Sequence, residues 1–315
     1  MKTKNWCKIV IGVLAIALAI VIVLLVLLPI GETPNEAVET PSPTVQPTVE
    51  PTPEPTIETS TELIKEDPII FSEDITFNYS WVSDGEHMPY ALYTPSCADE
   101  YDEIPLIVWL HGTGQIGVSE WEFRNWSLPA VMENWTLEGF NAYVLCAQLS
   151  APFNNGTWNN PTSMSYVKDL LDDFISEHNV DRSKVYILGH SLGAVGCVYM
   201  AHEMPEYFAA CVAMCPYYQG FDITEIEIPV MAYVGSPGGG EDEISYRYAL
   251  KISDTLGDDS VTVFPTSHGG VPKMAFNLDE DENNRSDLLE RLLSIDKEPR
   301  VSDATLNMKI RKEFK

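Results

Sequence analysis

Short apolar runs recur along the middle of the chain and predict the strands of a buried sheet. The segment IPLIVWL, at Ile104–Leu110, is apolar throughout, as expected of a strand that is buried on both faces. Alternating apolar and polar positions predict two earlier strands, Ile75–Val82 and Tyr90–Tyr93. Further runs predict strands at Ala142–Cys146, Lys184–Leu188, Ala209–Met214, Val230–Val234 and Val261–Phe264.

Between these strands, apolar residues recur at helical spacing. The predicted helices are Ser163–Glu177, Leu192–Glu203, Ser245–Leu256 and Arg285–Ser294. Strands that alternate with helices favour the α/β class, with a mostly parallel central sheet and helices on both faces. The first two strands have no helix between them, so we expect an antiparallel hairpin at one edge. We assign residues 67–296 to this domain.

The longest apolar run lies near the N-terminus, at Ile9–Leu28. Its 20 residues carry no charge, and a helix of that length spans about 30 Å, the thickness of the hydrocarbon core of a bilayer. Lys2, Lys4 and Lys8 precede the run, and no Lys or Arg follows before Lys65. Because positive charge favours the cytoplasmic side, residues 1–30 are predicted to be a cytoplasmic tip and a single-pass transmembrane anchor, with the remaining chain extracellular. The alternative is a cleaved signal peptide, which typically has a shorter apolar region.

Pro, Thr and Glu dominate residues 31–66, which contain seven prolines between Pro34 and Pro55. This composition favours an extended chain and cannot bury a core. We interpret the segment as a disordered linker that holds the domain away from the membrane. Residues 297–315 show no apolar period and are predicted to be a loose C-terminal tail.

The charge of the chain excludes one class of partner. The 315 residues carry a formal net charge of −28, whereas 45% of them are hydrophobic. The hydrophobic content is sufficient for a real core. The negative charge repels phosphates and argues against nucleic-acid binding. Five cysteines lie beyond the N-terminal apolar run, and we interpret most of them as small core residues.

Candidate chemistry begins directly after the predicted strand Lys184–Leu188. The next five residues, GHSLG at 189–193, form the pattern G-x-S-x-G between a strand and a helix. The glycines permit a sharp turn that exposes the hydroxyl of Ser191 above the sheet. The N-terminus of the following helix favours a developing oxyanion. Ser191 is therefore the candidate nucleophile.

A nucleophilic serine requires a base and an acid that orients the base. In chains with this turn, both partners follow the serine along the sequence. His268 follows the strand Val261–Phe264 and is the only histidine after His202, so it is the candidate base. Three adjacent carboxylates, at residues 241–243, follow the strand Val230–Val234. We favour Asp242 as the acid because Asp is the commoner choice, with Glu241 as the alternative.

The turn after Ile104–Leu110 is predicted to bind the oxyanion. It reads HGTGQIG at 111–117, and its glycines let backbone N–H groups approach a carbonyl oxygen. We expect the amides of Thr113 or Gly114, together with that of Leu192, to form the oxyanion hole. Trp158 and Gln148 follow strand ends and are the candidate substrate contacts. Trp121, Trp126 and Trp135 are further aromatic residues that could stack on a sugar or a phenolic acyl group.

Together these segments resemble a known family. HGTGQIG, the strand end Cys146-Ala147-Gln148, Trp158, GHSLG and SHGG come in the order seen in α/β-hydrolase-fold serine esterases, and they are most similar to the feruloyl and acetyl-xylan esterase-like group and its neighbouring predicted peptidases. The resemblance covers residues 90–296. It implies the α/β-hydrolase fold, hydrolysis of small-molecule or polysaccharide carboxylic esters through an acyl-enzyme, and no catalytic cofactor. The acid loop departs from the family pattern, because Gly238 stands where the usual Asp is expected.

A second motif lies after His268. Residues 279–290 have the spacing of an EF-hand calcium loop, and the predicted ligands are Asp279, Asp281, Asn283, the carbonyl of Arg285, Asp287 and Glu290. Asn284 replaces the usual glycine at the sixth position, and asparagine tolerates the left-handed conformation better than most residues. We therefore predict a structural Ca²⁺ ion; the alternative is an acidic loop that caps a helix.

Two other functions remain open at the level of sequence. A serine peptidase on the same fold uses the same acyl transfer chemistry. A non-catalytic surface-binding domain could retain the fold, although the intact serine, histidine and oxyanion turn argue against it.

Overall fold

The computed structural model describes residues 70–134, 138–153, 156–217, 223–241, 243–276 and 287–297. In these residues the strands are β1 (Phe71–Ser72), β2 (Phe77–Val82), β3 (Tyr90–Pro95), β4 (Ile104–Leu110), β5 (Gly139–Phe140), β6 (Tyr143–Ala147), β7 (Val180–His190), β8 (Ala210–Met214), β9 (Val230–Gly235) and β10 (Val261–Phe264). The helices are α1 (Glu120–Arg124), α2 (Ser127–Glu133), α3 (Pro161–Glu177), α4 (Leu192–Glu203), α5 (Glu243–Leu256), α6 (Val271–Ala275) and α7 (Leu288–Leu293).

Eight strands form the central sheet, in the order β10-β9-β8-β7-β4-β6-β3-β2. The six strands from β10 to β6 are mutually parallel. Strand β3 is antiparallel to both β6 and β2, and β2 lies at the edge. The predicted mostly parallel sheet and its antiparallel edge hairpin are therefore confirmed.

Both faces of the sheet are covered. In β4, Leu106, Val108 and Leu110 pack into the cluster that contains α3 and α4. Ile107 and Trp109, on the alternate positions, pack with residues of α1, α2, α6 and α7 on the other face. This two-sided burial explains why the strand is apolar at every position.

Helices α3 and α4, which pack on the same face of the sheet, differ at their N-termini. Asn160 caps α3 by accepting a hydrogen bond from the amide of Ser163 at 3.0 Å, and Pro161 occupies the first turn. Helix α4 begins at Ser191 without a side-chain cap, and nine of its twelve residues are buried. An apolar helix of this kind is held by packing rather than by its ends.

The structure adds elements that the hydrophobic pattern did not predict. Strands β1 and β5 form a separate two-stranded antiparallel sheet. Helices α1, α2 and α6 have between five and seven residues each, too short to show a helical period. Within the predicted helix Arg285–Ser294, the described residues form α7 at Leu288–Leu293, and Arg285 lies outside the described residues.

Several predictions fall on other parts of the chain. The anchor Ile9–Leu28, the linker 31–66 and the tail from residue 298 lie outside the described residues. Among the described residues, no helix is both long enough and apolar enough to cross a membrane. The membrane topology therefore stays a prediction.

Candidate active site

Ser191 lies in a strained turn between β7 and α4. Its φ of 56° and ψ of −117° are unusual for a residue with a side chain. Its amide donates a hydrogen bond to the carbonyl of Met214 at 2.8 Å, which ties the turn to the end of β8. The serine is only half-buried, as a nucleophile that must meet a substrate requires.

The glycines on either side of Ser191 are required by close packing. A Cβ atom on Gly193 would overlap the carbonyl of Leu110, and one on Gly189 would overlap the backbone of Gly193. The turn therefore presses against the end of β4, where the predicted oxyanion turn begins. The pattern G-x-S-x-G is explained here by space rather than by backbone flexibility.

His268 and Glu241 form a close pair at the ends of β10 and β9. The Nδ1 atom of His268 lies 2.7 Å from Oε1 of Glu241. The side chain of Glu241 is 0% exposed, whereas that of His268 is 32% exposed. Because the carboxylate accepts from Nδ1–H, the Nε2 atom is the one that remains for a proton from a substrate or a nucleophile.

The carboxylate at His268 comes from the less favoured of the two candidates. Glu241 follows a short turn in which Ser236 accepts a hydrogen bond from the amide of Gly239 at 3.2 Å and Gly240 adopts a φ of 96°. This turn directs Glu241 towards His268. The preferred candidate, Asp242, lies outside the described residues, so the choice between the two acids stays a prediction, and the contact with His268 favours Glu241.

The second carboxylate oxygen of Glu241 has partners of its own. Oε2 accepts a hydrogen bond from the amide of Gly235 at 3.0 Å and lies 2.9 Å from Sγ of Cys215. Both contacts are buried. Sequence analysis gave Cys215 no role beyond the core, because nothing in the local pattern indicates that it meets a residue 26 positions away.

His190 supports the loop that carries His268. Its Nε2–H donates to the backbone carbonyl of His268 at 2.9 Å, and the two rings lie 4.8 Å apart. Burial, together with the positive charge that His268 can carry, lowers the pKa of His190 to about 4. His190 is therefore neutral and structural. It directly precedes Ser191 in the chain and holds the backbone of His268 in place.

The predicted oxyanion turn lies beside Ser191. A Cβ atom on Gly112 would lie 3.5 Å from Cβ of Ser191, so the glycine allows the turn to come close. Residues Thr113–Gln115 form a single helical turn, in which Thr113 and Gly114 are exposed. The first amides of such a turn, like that of Leu192 at the start of α4, have no partner within their own helix. These are the amides predicted to bind an oxyanion.

Neither predicted substrate contact is in position to touch a substrate. Trp158 is fully buried, and its Nε1–H donates to the carbonyl of His111 at 2.9 Å. Gln148 is buried, and its side-chain amide donates to the carbonyls of Gln115 and Val118 at 3.3 and 2.9 Å. Assigning Trp158 and Gln148 to substrate binding was wrong, because both side chains point inward and hold the oxyanion turn from behind.

His111 is part of the same support. Its Nε2 accepts from the amide of Leu149 at 3.0 Å, which assigns the proton to Nδ1, and Nδ1 donates to the carbonyl of Gly112 at 2.6 Å. Burial lowers the pKa of His111 to about 4. The ring is therefore neutral and structural.

The exposed aromatic surface lies elsewhere, on the segment that follows the oxyanion turn. Trp121 is 73% exposed and Trp126 is 61% exposed. The side-chain amide of Gln115 lies 3.4 Å from the carbonyl of Trp126, which connects this segment to the oxyanion turn. Trp135 lies outside the described residues.

Most residues of the predicted calcium loop are not among the residues that the structure describes. Asp279, Asp281, Asn283 and Arg285 lie outside the described residues, whereas Asp287 and Glu290 are exposed at the start of α7. Among the described residues, His190, Cys215 and His268 are the group whose ligand atoms come within 4.8 Å of one another. The hydrogen bonds given above account for these three side chains without a metal ion.

Comparison with known proteins agrees with this geometry. Residues 83–221, which include the oxyanion turn and Ser191, match the family described as "Putative esterase". Comparison with curated proteins by sequence gives no match.

Solved structures share the fold. A thermostable esterase superposes with a TM-score of 0.51 at 20% identity; the alignment covers 70% of this chain and 63% of that esterase. An S-formylglutathione hydrolase from Agrobacterium tumefaciens aligns at 16% identity and a TM-score of 0.48, over 72% of this chain and 98% of that one. A feruloyl esterase module from Clostridium thermocellum aligns at 14% identity and a TM-score of 0.47, over 64% and 86% of the two chains. Of these three superpositions only that of the thermostable esterase exceeds a TM-score of 0.5, and at 20% identity it shows the fold alone.

Residues 83–221 are therefore similar to an esterase family, and the mostly parallel sheet with its strained serine turn is an α/β-hydrolase-like fold.

Proposed function

We propose that the protein is a serine hydrolase that cleaves carboxylic esters with Ser191 as nucleophile, His268 as base and Glu241 as the orienting acid. The observation that carries the proposal is the 2.7 Å contact between Nδ1 of His268 and a fully buried Glu241. The carboxylate of Glu241 is shielded from water and is contacted by the thiol of Cys215, the amide of Gly235 and the imidazole of His268. Such an arrangement stabilises the imidazolium form of His268, the form that a base reaches after it takes a proton from the nucleophile.

The reaction follows from these positions. Nε2 of His268 accepts the hydroxyl proton of Ser191 while Oγ forms a bond to the acyl carbon, and the carbonyl electron pair moves onto its oxygen. The resulting oxyanion accepts hydrogen bonds from the amide of Leu192 and from that of Thr113 or Gly114. Collapse of this intermediate breaks the ester C–O bond, and the imidazolium returns its proton to the departing alcohol. Water then attacks the acyl-enzyme by the same route and releases the acid.

The finer proposal concerns the substrate. We propose that the ester is attached to a carbohydrate, such as an acetyl or feruloyl ester. Two exposed tryptophans, Trp121 and Trp126, support this reading, because an indole face left in water offers a stacking surface for a sugar ring or a phenolic group. Both residues belong to the segment that contacts the oxyanion turn.

This substrate proposal predicts a difference between small and polymeric esters. Replacing both exposed tryptophans, Trp121→Ala and Trp126→Ala, is expected to raise KM for an acetylated or feruloylated oligosaccharide about tenfold. It is expected to leave p-nitrophenyl acetate hydrolysis within about twofold, because that substrate does not reach the segment. Equal effects on both substrates, or none on either, would contradict the carbohydrate assignment.

The location of the enzyme is proposed from the sequence. The uncharged run Ile9–Leu28, the lysines before it and the Pro-rich linker after it support a single-pass anchor with the catalytic domain outside the cell. Protease accessibility of the domain on intact cells tests this topology. Protection of the domain from an added protease would reject it.

A structural Ca²⁺ ion is likewise proposed from the spacing of residues 279–290. Addition of EDTA is expected to lower the melting temperature, and the double variant Asp279→Asn and Asp281→Asn is expected to remove that sensitivity. Calorimetry on the wild-type protein should show one Ca²⁺ ion bound. An unchanged melting temperature together with no heat of binding rejects the ion.

The catalytic assignment is tested by hydrolysis of p-nitrophenyl acetate. Ser191→Ala is expected to lower kcat by at least about 10⁴-fold. The matched control is Ser165→Ala, an exposed helical serine that should retain wild-type turnover. A Ser191→Ala protein with near-normal turnover would reject the nucleophile. Turnover of peptide p-nitroanilides in place of esters would favour the peptidase alternative.

A further inference from the structure

Cys215 occupies a backbone position that ordinarily favours glycine. It follows the last residue of β8 with a φ of 54°, in the left-handed region. Its amide donates to the carbonyl of Tyr233 at 2.7 Å, and its own carbonyl accepts from Oγ of Ser245 at 3.3 Å. The backbone is therefore held on both sides, and the side chain is fully buried.

The thiol is directed at the acid of the proposed triad. Sγ of Cys215 lies 2.9 Å from Oε2 of Glu241 and 3.6 Å from the carbonyl oxygen of His268. An ionised carboxylate can only accept hydrogen bonds, so the S–H group is the donor in the shorter contact. The amide of Gly235 is a second donor to the same oxygen, at 3.0 Å.

We propose that Cys215 is a positioning residue of the catalytic site: its thiol fixes Oε2 of Glu241, so that Oε1 faces Nδ1 of His268. This inference rests on the function proposed above. Two donors on Oε2, together with the imidazole on Oε1, fix the plane of the carboxylate, and loss of the thiol removes one of these three contacts. A glycine would adopt the observed φ without strain, so the strained residue is explained by what its side chain holds.

The other titratable groups around the pair are few among the described residues. His190, at the end of β7, faces His268 and is neutral because its pKa is lowered to about 4 by burial. Ser245, on α5, contacts the backbone of Cys215 and carries no charge. The experiment must therefore distinguish changes in the protonation of four groups: Cys215, Glu241, His190 and His268.

The test compares three variants of the full-length protein. Cys215→Ser keeps a donor at the same position and is expected to retain kcat within about threefold. Cys215→Gly relieves the backbone and removes the donor, and Cys215→Ala removes the donor at the original φ. For both we expect kcat to fall about tenfold with KM unchanged, because the imidazolium loses part of its oriented partner.

The pH profile separates positioning from a structural role. When Glu241 is less well oriented, the imidazolium form of His268 is less stable, so the acid limb of kcat/KM should move to lower pH in Cys215→Gly and Cys215→Ala but not in Cys215→Ser. A wild-type kcat and acid limb in Cys215→Gly would overturn the proposal. So would an equal loss in all three variants, or a shift to higher pH.

A measurement without turnover keeps this inference distinct from the proposed function. The NMR titration of His268 should move to lower pH in Cys215→Gly whether or not the protein hydrolyses an ester. If wild-type turnover is absent, or persists in Ser191→Ala, the proposed function fails while this shift still reports on the thiol. An unchanged His268 titration rejects the role of Cys215 by itself.

Discussion

At the scale of single residues, the choice of the acid shows what local geometry adds. Residues 241–243 are three consecutive carboxylates, and successive side chains in such a loop point in different directions. The Ser236 cap and the left-handed Gly240 shape the turn that brings Glu241 to His268. The sequence preference for Asp242 rests on residue type alone, and residue type does not reveal the geometry of the turn.

The acid assignment predicts unequal effects from two neighbouring substitutions. Glu241→Gln is expected to lower kcat/KM by about 10³- to 10⁴-fold, because an amide stabilises neither the correct tautomer nor the imidazolium. Asp242→Asn removes one charge from the same loop and is the matched control, with an expected change within about threefold. Both are measured with p-nitrophenyl acetate. A larger loss in Asp242→Asn than in Glu241→Gln would restore the first preference.

At the scale of elements, the oxyanion turn is held by side chains from outside itself. Trp158 supports it from the segment before α3, and Gln148 from the residue after β6. Their positions at strand ends suggested substrate contacts. Sequence could not distinguish a side chain that faces the substrate from one that faces the back of the turn, because both lie at the same end of the sheet.

The support of this turn predicts an indirect effect on catalysis. Trp158→Phe keeps an aromatic ring but removes the hydrogen bond to His111, which leaves a buried carbonyl unpaired at a cost of about 1–3 kcal/mol. We expect a lower free energy of unfolding in urea and a lower kcat, with little change in KM. The control is Trp121→Phe, an exposed position that should change neither quantity. Unchanged stability and kcat in Trp158→Phe would contradict the supporting role.

Helices and strands were predicted correctly where most residues of the element are apolar and buried. They were missed where a short segment mixes buried and exposed residues. The bounds of β4 and α4 agree with the sequence pattern, because most residues of each are apolar and buried. Helix α1 contains the exposed Trp121 beside the buried Phe123, and the exposed Trp126 directly precedes α2. Such short elements are stabilised by tertiary contacts and caps rather than by a pattern of their own.

At the scale of the whole molecule, two buried neutral histidines predict sensitivity to acid. The pKa values of His111 and His190 are lowered from 6.5 to about 4, in both cases mainly by burial. Between these two values the unfolded chain binds protons that the folded chain does not. Stability is therefore complete above pH 6.5 and is lost as the pH falls towards 4, by at most about 1.4 kcal/mol per pH unit for each histidine.

Urea unfolding at pH 7.5, 6.0 and 5.0 measures this dependence. His190→Gln keeps an N–H donor towards the His268 carbonyl but does not titrate, so the variant should lose less stability than the wild-type protein between pH 6.5 and 5. A pH dependence that is the same in both proteins would assign the acid sensitivity to other groups.

The sequence by itself determined the fold class of this protein and indicated the candidate residues for its chemistry. Apolar runs dictate a parallel sheet because strands buried on both faces cannot carry polar residues, and the glycines around Ser191 are needed where backbones meet. Only the tertiary structure decided which carboxylate meets His268, that Trp158 and Gln148 face inward, and that Cys215 reaches Glu241. These contacts join residues that are far apart along the chain, and no local pattern records them.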